Sequence, residues 1–169
     1  MDSPGRRLAL LILAVHALVL SGCLVFESRD QKTAPAQTPS GIQTFHAVSG
    51  PVETVGGLPV IRLFVTTWCP HSTYIMGTYS RVAKEYVDAG KIVACLWDVD
   101  NGDDLMTPAV ESALPASERA VFDLFNPENS IPTFVFGGKY YRIGNGYEGQ
   151  GNGLQLEEAE FRAVMEALI

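Results

Sequence analysis

Cysteine, histidine and positive charge are all scarce in this chain. Three cysteines among 169 residues cannot form the disulfide framework that holds small secreted domains together. The three histidines include no pair at zinc-ligand spacing, and His46 and His71 fall on different predicted elements, so neither a metal nor any other cofactor is expected. Lys and Arg number 12 against 19 Asp and Glu, a formal charge of -7. No basic surface is left to neutralise phosphates, and no nucleic-acid partner is expected. The glycine-rich stretch 144–153 lacks the lysine and the strand-to-helix placement of a phosphate loop, and reads as a mobile turn before the last helix. No internal repeat is visible. What the chain has in quantity is apolar: 47% hydrophobic residues against 18% charged, enough for one domain with a core.

Part of that apolar content belongs to the N-terminus. Met1 to Arg7 ends in two arginines and is followed by the run LALLILAVHALVL over 8–20. These are the n-region and h-region of a secretory signal. Leu20-Ser21-Gly22-Cys23 comes next and resembles the lipobox of prokaryotic lipoproteins, in which the cysteine is lipidated and becomes the first residue of the mature protein. The reading is a signal peptide over 1–22 and membrane attachment through a lipid on Cys23, on the extracytoplasmic face. The alternative is an uncleaved N-terminal transmembrane anchor, because extension through Leu24, Val25 and Phe26 brings the apolar stretch to about spanning length. From residue 27 to 41 the sequence turns polar, with Pro35, Pro39 and small side chains, and 23–41 reads as a flexible tether.

From residue 42 the pattern is that of a folded domain. Strands are predicted over 42–48, 52–55 and 60–65, the last a β-branched and aromatic run of the buried parallel kind. After Pro70 apolar residues recur at helical spacing until Gly90, which supplies the stop. A second buried strand spans 91–99. Residues 103–126 read as helix in two parts divided near Pro115, 131–136 and 139–143 as a hairpin across Gly137-Gly138, and 157–168 as an amphipathic helix. The order ββαβαββα describes an α/β fold with a central mixed sheet flanked by helices.

Trp68-Cys69-Pro70-His71-Ser72, set between a buried strand and a helix, and Ser130-Ile131-Pro132-Thr133-Phe134, opening a later strand, together resemble the thioredoxin superfamily. The resemblance runs from about 60 to 168 and implies a thioredoxin fold over 42–169. It also implies that Pro132 is the family's cis-proline beside the active cysteine, and that Trp68, Pro70, Ile131 and Pro132 contact substrate. Pro70-His71 is the dipeptide found between the cysteines of the periplasmic disulfide oxidases.

Cys69 is the expected nucleophile. A thiol at the first turn of a helix faces partly positive, unpaired N–H groups that favour the thiolate, and a protonated His71 acts in the same direction. Ser72 stands where two-cysteine relatives carry the resolving thiol. A hydroxyl cannot attack a mixed disulfide, but it can hydrogen-bond the Cys69 sulfur or cap the helix. Leu63 occupies the strand position at which thioredoxins place a buried acid. Cys95, in the middle of a predicted strand, reads as a small core residue rather than as a second redox thiol. The expected activity is thiol-disulfide exchange by one cysteine, isomerase-like or as a monothiol reductase. Its partners would be exported proteins or small thiols bearing disulfides, with an external thiol completing the reaction. The alternative is a redox-inactive binding or chaperone module for exported proteins.

Overall fold

Eight consecutive residues, Leu58–Val65, form the strand around which the domain is built, and all but the first are buried. The computed structural model describes residues 39–169; the predicted signal peptide, Cys23 with its predicted lipid, and the predicted tether up to residue 38 lie outside the described residues. Among the described residues no helix is long and apolar enough to cross a membrane. The elements are β1 (His46–Ala47), β2 (Thr54–Val55), β3 (Leu58–Val65), α1 (Pro70–Asp88), β4 (Val93–Asp98), β5 (Asp103–Asp104), α2 (Ala116–Phe125), β6 (Thr133–Phe136), β7 (Tyr140–Ile143) and α3 (Gly153–Glu166). The main sheet has the order β1-β7-β6-β3-β4-β5, and β2 pairs separately with β3. β3 runs parallel to β4, from Val60 opposite Val93 to Val65 opposite Asp98, and antiparallel to β6. The sheet is therefore mixed, with α1 as the crossover between its two parallel strands.

Alternation along β3 separates the two faces. Ile61, Leu63 and Val65 enter one core with Ile75, Tyr79 and Val82 of α1 and Phe161, Val164 and Met165 of α3. Phe64 points the other way and packs with Trp97, Val135 and Phe122 of α2. The result is an α/β fold of three layers, as the pattern predicts. Tyr79 locks α1 to both parallel strands, its hydroxyl lying 3.0 Å from the Ile61 carbonyl oxygen and 2.8 Å from that of Cys95. α1 ends in a Schellman motif: Gly90, at φ +66°, and Lys91 donate to the Val87 and Tyr86 carbonyls. At the β6–β7 turn Gly137 and Gly138 both take positive φ, the left-handed pair that a two-residue hairpin turn requires.

Predicted boundaries shift by two residues at the starts of β2, β3 and β4, and further corrections fall on four other elements. The strand expected over 42–48 shrinks to His46–Ala47, because the Gln43 and Thr44 N–H groups donate to the Glu160 carboxylate and not to a sheet neighbour. The first half of the helix expected over 103–126 does not form. Asp103 accepts from the Glu111 N–H, and Asp104 from those of Leu96 and Met106. Short acidic side chains that bond backbone in this way compete with helical hydrogen bonds, and only the brief β5 and turns remain before α2. β6 begins at Thr133, two residues later than predicted, since Pro132 has no N–H to offer a neighbouring strand. α3 starts at Gly153, four residues earlier than predicted.

One buried ion cluster fastens the last third of the chain. Arg142 on β7 is paired with Glu157 at 2.5 Å and Glu160 at 3.3 Å, and all three side chains are nearly inaccessible. Its guanidinium lies 4.5 Å from the Phe134 ring centre and 4.6 Å from that of Phe45. The remaining carboxylate oxygens are not orphaned: Glu157 accepts from the N–H groups of Gly146 and Tyr147, and Glu160 from Gln43, Thr44 and the Thr44 hydroxyl. On the surface, Arg81 and Arg162 both pair with Glu158, tying α1 to α3.

Arg142→Met would leave two buried carboxylates without a cation, and a loss of about 3–5 kcal/mol is expected in urea unfolding at neutral pH; a loss below about 1 kcal/mol would show that the cluster is not a fastening. Glu158 supplies a pH-dependent test. Its hydrogen bonds to Arg81 and Arg162 hold the carboxyl down at about 2, below the ordinary carboxylate range. A depressed acid contributes above its unfolded pKa and loses that contribution as pH falls through the folded one. The stability difference between the parent and Glu158→Gln should therefore be about 0.5–1 kcal/mol near neutrality and shrink to nothing as pH falls from about 4.5 to about 2.

Candidate active site

The chain leaves β3 through Thr66, Thr67 and Trp68 and enters α1 with Cys69 as its N-cap, in extended backbone at φ -79° and ψ 123°. Pro70 follows at the first helical position, where its missing N–H costs no hydrogen bond. The Cys69 carbonyl accepts from the Thr73 N–H and the Thr73 hydroxyl, and its N–H donates to the Thr66 carbonyl. No side chain caps the helix. The first-turn N–H groups have no intrahelical acceptor and take no side-chain cap, the Cys69 sulfur included. Cys69 itself is 7% exposed, so an incoming group reaches it along a narrow approach.

Ser72 is fully buried and its hydroxyl has no hydrogen-bond partner. The expected cap or bond to the Cys69 sulfur is not made. Cys69 already occupies the N-cap position, and Ser72 lies inside the first turn, where its side chain flanks the helix instead of closing its end. Leu63 is fully buried in the α1–α3 core, so that strand position brings no acid to the site.

The other predicted site residues each have a defined local setting. Trp68 is 70% exposed, yet its indole is held in place by donation from Nε1 to Asp100 Oδ2 at 2.6 Å. His71 is exposed, and its Nδ1 lies 2.8 Å from Glu148 Oε2. Asn145 completes that contact, donating from Nδ2 to the His71 carbonyl at 2.9 Å and to Glu148 Oε2 at 2.8 Å. The Asn145 bond first, then the His71 bond, hold the Glu148 carboxyl below the ordinary carboxylate range. Proton sharing with an ionised Glu148 makes Nδ1 the donor and leaves Nε2 turned away from the carboxylate.

The Ile131–Pro132 peptide bond is cis. Pro132 is buried and Ile131 half-buried, and the Pro132 carbonyl accepts from the Gly144 N–H at 2.8 Å. The loop before them is held by buried Asn126, which donates to the Ser130 carbonyl and the Thr133 hydroxyl and accepts from the Ser130 N–H.

Asp100, Asn126, Asn145 and Glu148 carry no local sequence signal for these roles. Their partners lie up to 77 residues away, and Asn145 and Glu148 fall in the stretch that reads as a mobile turn. That stretch is instead pinned at Gly146 and Tyr147 by Glu157 and at Asn145 by His71.

Cys95 is not brought to the site. It lies on β4 opposite Arg62, three register positions before the Val65–Asp98 pair, which is about 10 Å along the strand. Burial first, and then nearby Asp104 and Glu118, push its thiol up to about 12. His46 stacks on Tyr141 at the β1 edge.

The two thiols should separate cleanly in iodoacetamide labelling at about pH 7. Cys69 is expected to react at least about a hundredfold faster than Cys95, read by peptide mass mapping; comparable rates would contradict the raised thiol of half-buried Cys95, held up at about 12. No family model, curated protein or solved structure matches this chain, and the site stands on its own geometry.

Proposed function

We propose that the chain is a thioredoxin-fold protein that carries out thiol-disulfide exchange through the single nucleophile Cys69, tethered by a lipid on Cys23 at the extracytoplasmic face of a membrane. The observation that carries the reading is the placement of Cys69 as N-cap of α1, directly after a buried parallel strand, with the first-turn N–H groups left uncapped. Pro132 is read as the family's proline that receives an extended substrate chain, with Trp68, Pro70 and Ile131 beside it. His71, oriented by Glu148 and Asn145, is read as the group that supports the thiolate.

The reaction proceeds in two displacements. The Cys69 thiolate attacks one sulfur of a client disulfide, forming a Cys69–client bond while the other client sulfur leaves with the electron pair and takes up a proton. An external thiolate then attacks the client sulfur of that mixed disulfide and releases the Cys69 thiolate. Electrons balance within each step, and no cofactor is involved. Ser72 cannot perform the second displacement, and Cys95 is too far away and too weakly acidic, so release depends on the external thiol. Clients are exported proteins or small thiols bearing disulfides.

Incubation of the full-length chain with 2-hydroxyethyl disulfide should stop at a mixed disulfide on Cys69 until an external thiol is added, and Cys69→Ser should form no such adduct. Ser72→Cys should release the product without an external thiol, leaving an internal disulfide between Cys69 and the introduced sulfur. Absence of any adduct on Cys69 in the parent overturns exchange; absence together with binding of unfolded chains favours a redox-inactive binding module.

A further inference from the structure

Two carboxylates are fixed to the residues on either side of Cys69. Asp100 accepts from Trp68, and Glu148 is bonded to His71, each through one oxygen. Both are held in position: the Asp100 N–H donates to Asp98 Oδ1 at 3.1 Å, and Glu148 also accepts from Asn145.

Among the described residues, lysines and arginines are placed elsewhere. Arg62 and Arg142 are buried in ion pairs with two carboxylates each. Arg81 and Lys84 lie about 18 and 22 Å along α1 from Cys69, and Arg162 pairs with Glu85 and Glu158 at the same distant part of that helix. Lys91 precedes β4 and Lys139 follows β6, both at the end of the sheet opposite Cys69 and Pro132. Arg119 comes nearest, donating to Asn129 three residues before Pro132, but it is paired with Asp123 at 2.9 Å. Among the described residues, the one group at the site that can become cationic, His71, is matched by Glu148. The site also retains an unspent donor, the Ser72 hydroxyl, fully buried one turn along α1 from Cys69.

We propose that the Asp100–Glu148 rim makes Cys69 selective by charge, so that the disulfides and thiols exchanging with it are cationic or neutral and small anionic thiols of the glutathione type are disfavoured; the inference rests on the exchange reading above. Each displacement brings a charged group past both carboxylates on its way to or from the sulfur. Their field adds for a cation and opposes an anion, and it acts within about one Debye length at low salt. A basic segment of an exported protein, or an aminothiol, is the chemistry that fits.

The test compares rates of adduct formation on Cys69 of the full-length chain with cystamine, oxidised glutathione and 2-hydroxyethyl disulfide at about pH 8. The ratio of the cystamine rate to the oxidised glutathione rate is divided by the same ratio for free N-acetylcysteine amide, which removes the intrinsic reactivity of the two disulfides. At about 10 mM ionic strength the corrected ratio should be at least about tenfold, falling to within about threefold at about 1 M. Asp100→Asn and Glu148→Gln should each lower it by about threefold, whereas Asp88→Asn, at the far end of α1, should leave it unchanged. A corrected ratio near unity at low salt, one indifferent to both rim substitutions, or one moved equally by Asp88→Asn overturns the inference while leaving exchange intact. No adduct with any of the three disulfides overturns the exchange reading, and the inference with it.

Discussion

The guanidinium of Arg142 sits where four segments of the chain meet. It projects from β7, pairs with Glu157 and Glu160 of α3, donates to the Thr44 hydroxyl ahead of β1, and donates from Nε to the Gly144 carbonyl at the start of the glycine-rich loop. A buried cation with two buried carboxylates is tolerable only where the leftover lone pairs find donors. Those donors are backbone N–H groups at Gln43, Thr44, Gly146 and Tyr147, so electrostatic necessity in the core dictates the course of two segments that have little regular structure of their own. The same requirement accounts for the shortness of β1.

The constraint reaches the candidate site through the glycine-rich loop. With Gly146 and Tyr147 fixed by Glu157, Asn145 and Glu148 on the same loop meet His71 at the head of α1, and Gly144 meets the Pro132 carbonyl. The end of the sheet where β3 hands over to α1 at Cys69 thus also holds the start of β6 with the loop that Asn126 supports, and His71 there meets a loop whose anchor is a buried ion cluster. The first two of these segments are held by hydrogen bonds within a few residues, and the third meets His71 through bonds between residues more than seventy positions apart.

The elements legible in the sequence are those governed by short-range rules. The apolar run of β3, the helical spacing of Ile75, Tyr79, Val82 and Tyr86, and the Gly90 and Gly137-Gly138 stops all depend on neighbours within a few positions, and all stand where the pattern puts them. The two largest failures have a different cause, carboxylates that take up backbone N–H groups. Residues 103–114 have composition compatible with helix, but Asp103 and Asp104 are claimed by backbone N–H groups of other turns and of β4. Residues 42–45 alternate like a strand, but Glu160 takes the N–H groups a ladder would have used. A periodicity argument has no access to a carboxylate more than a hundred residues away.

For the site, the division falls in the same place. Sequence alone determined that a thiol would stand at the mouth of a helix after a buried strand, with Pro70 next to it and Ser72 in the first turn, because strand, helix and cap signals are local and adjacent. Only the tertiary structure decided what surrounds that thiol: Asp100 holding Trp68, Glu148 and Asn145 holding His71, a Ser72 hydroxyl left without a partner, and Cys95 kept away on β4. Those relations follow from which loops the mixed sheet gathers at one end, and that gathering is a property of strand order and buried charge rather than of any stretch of residues.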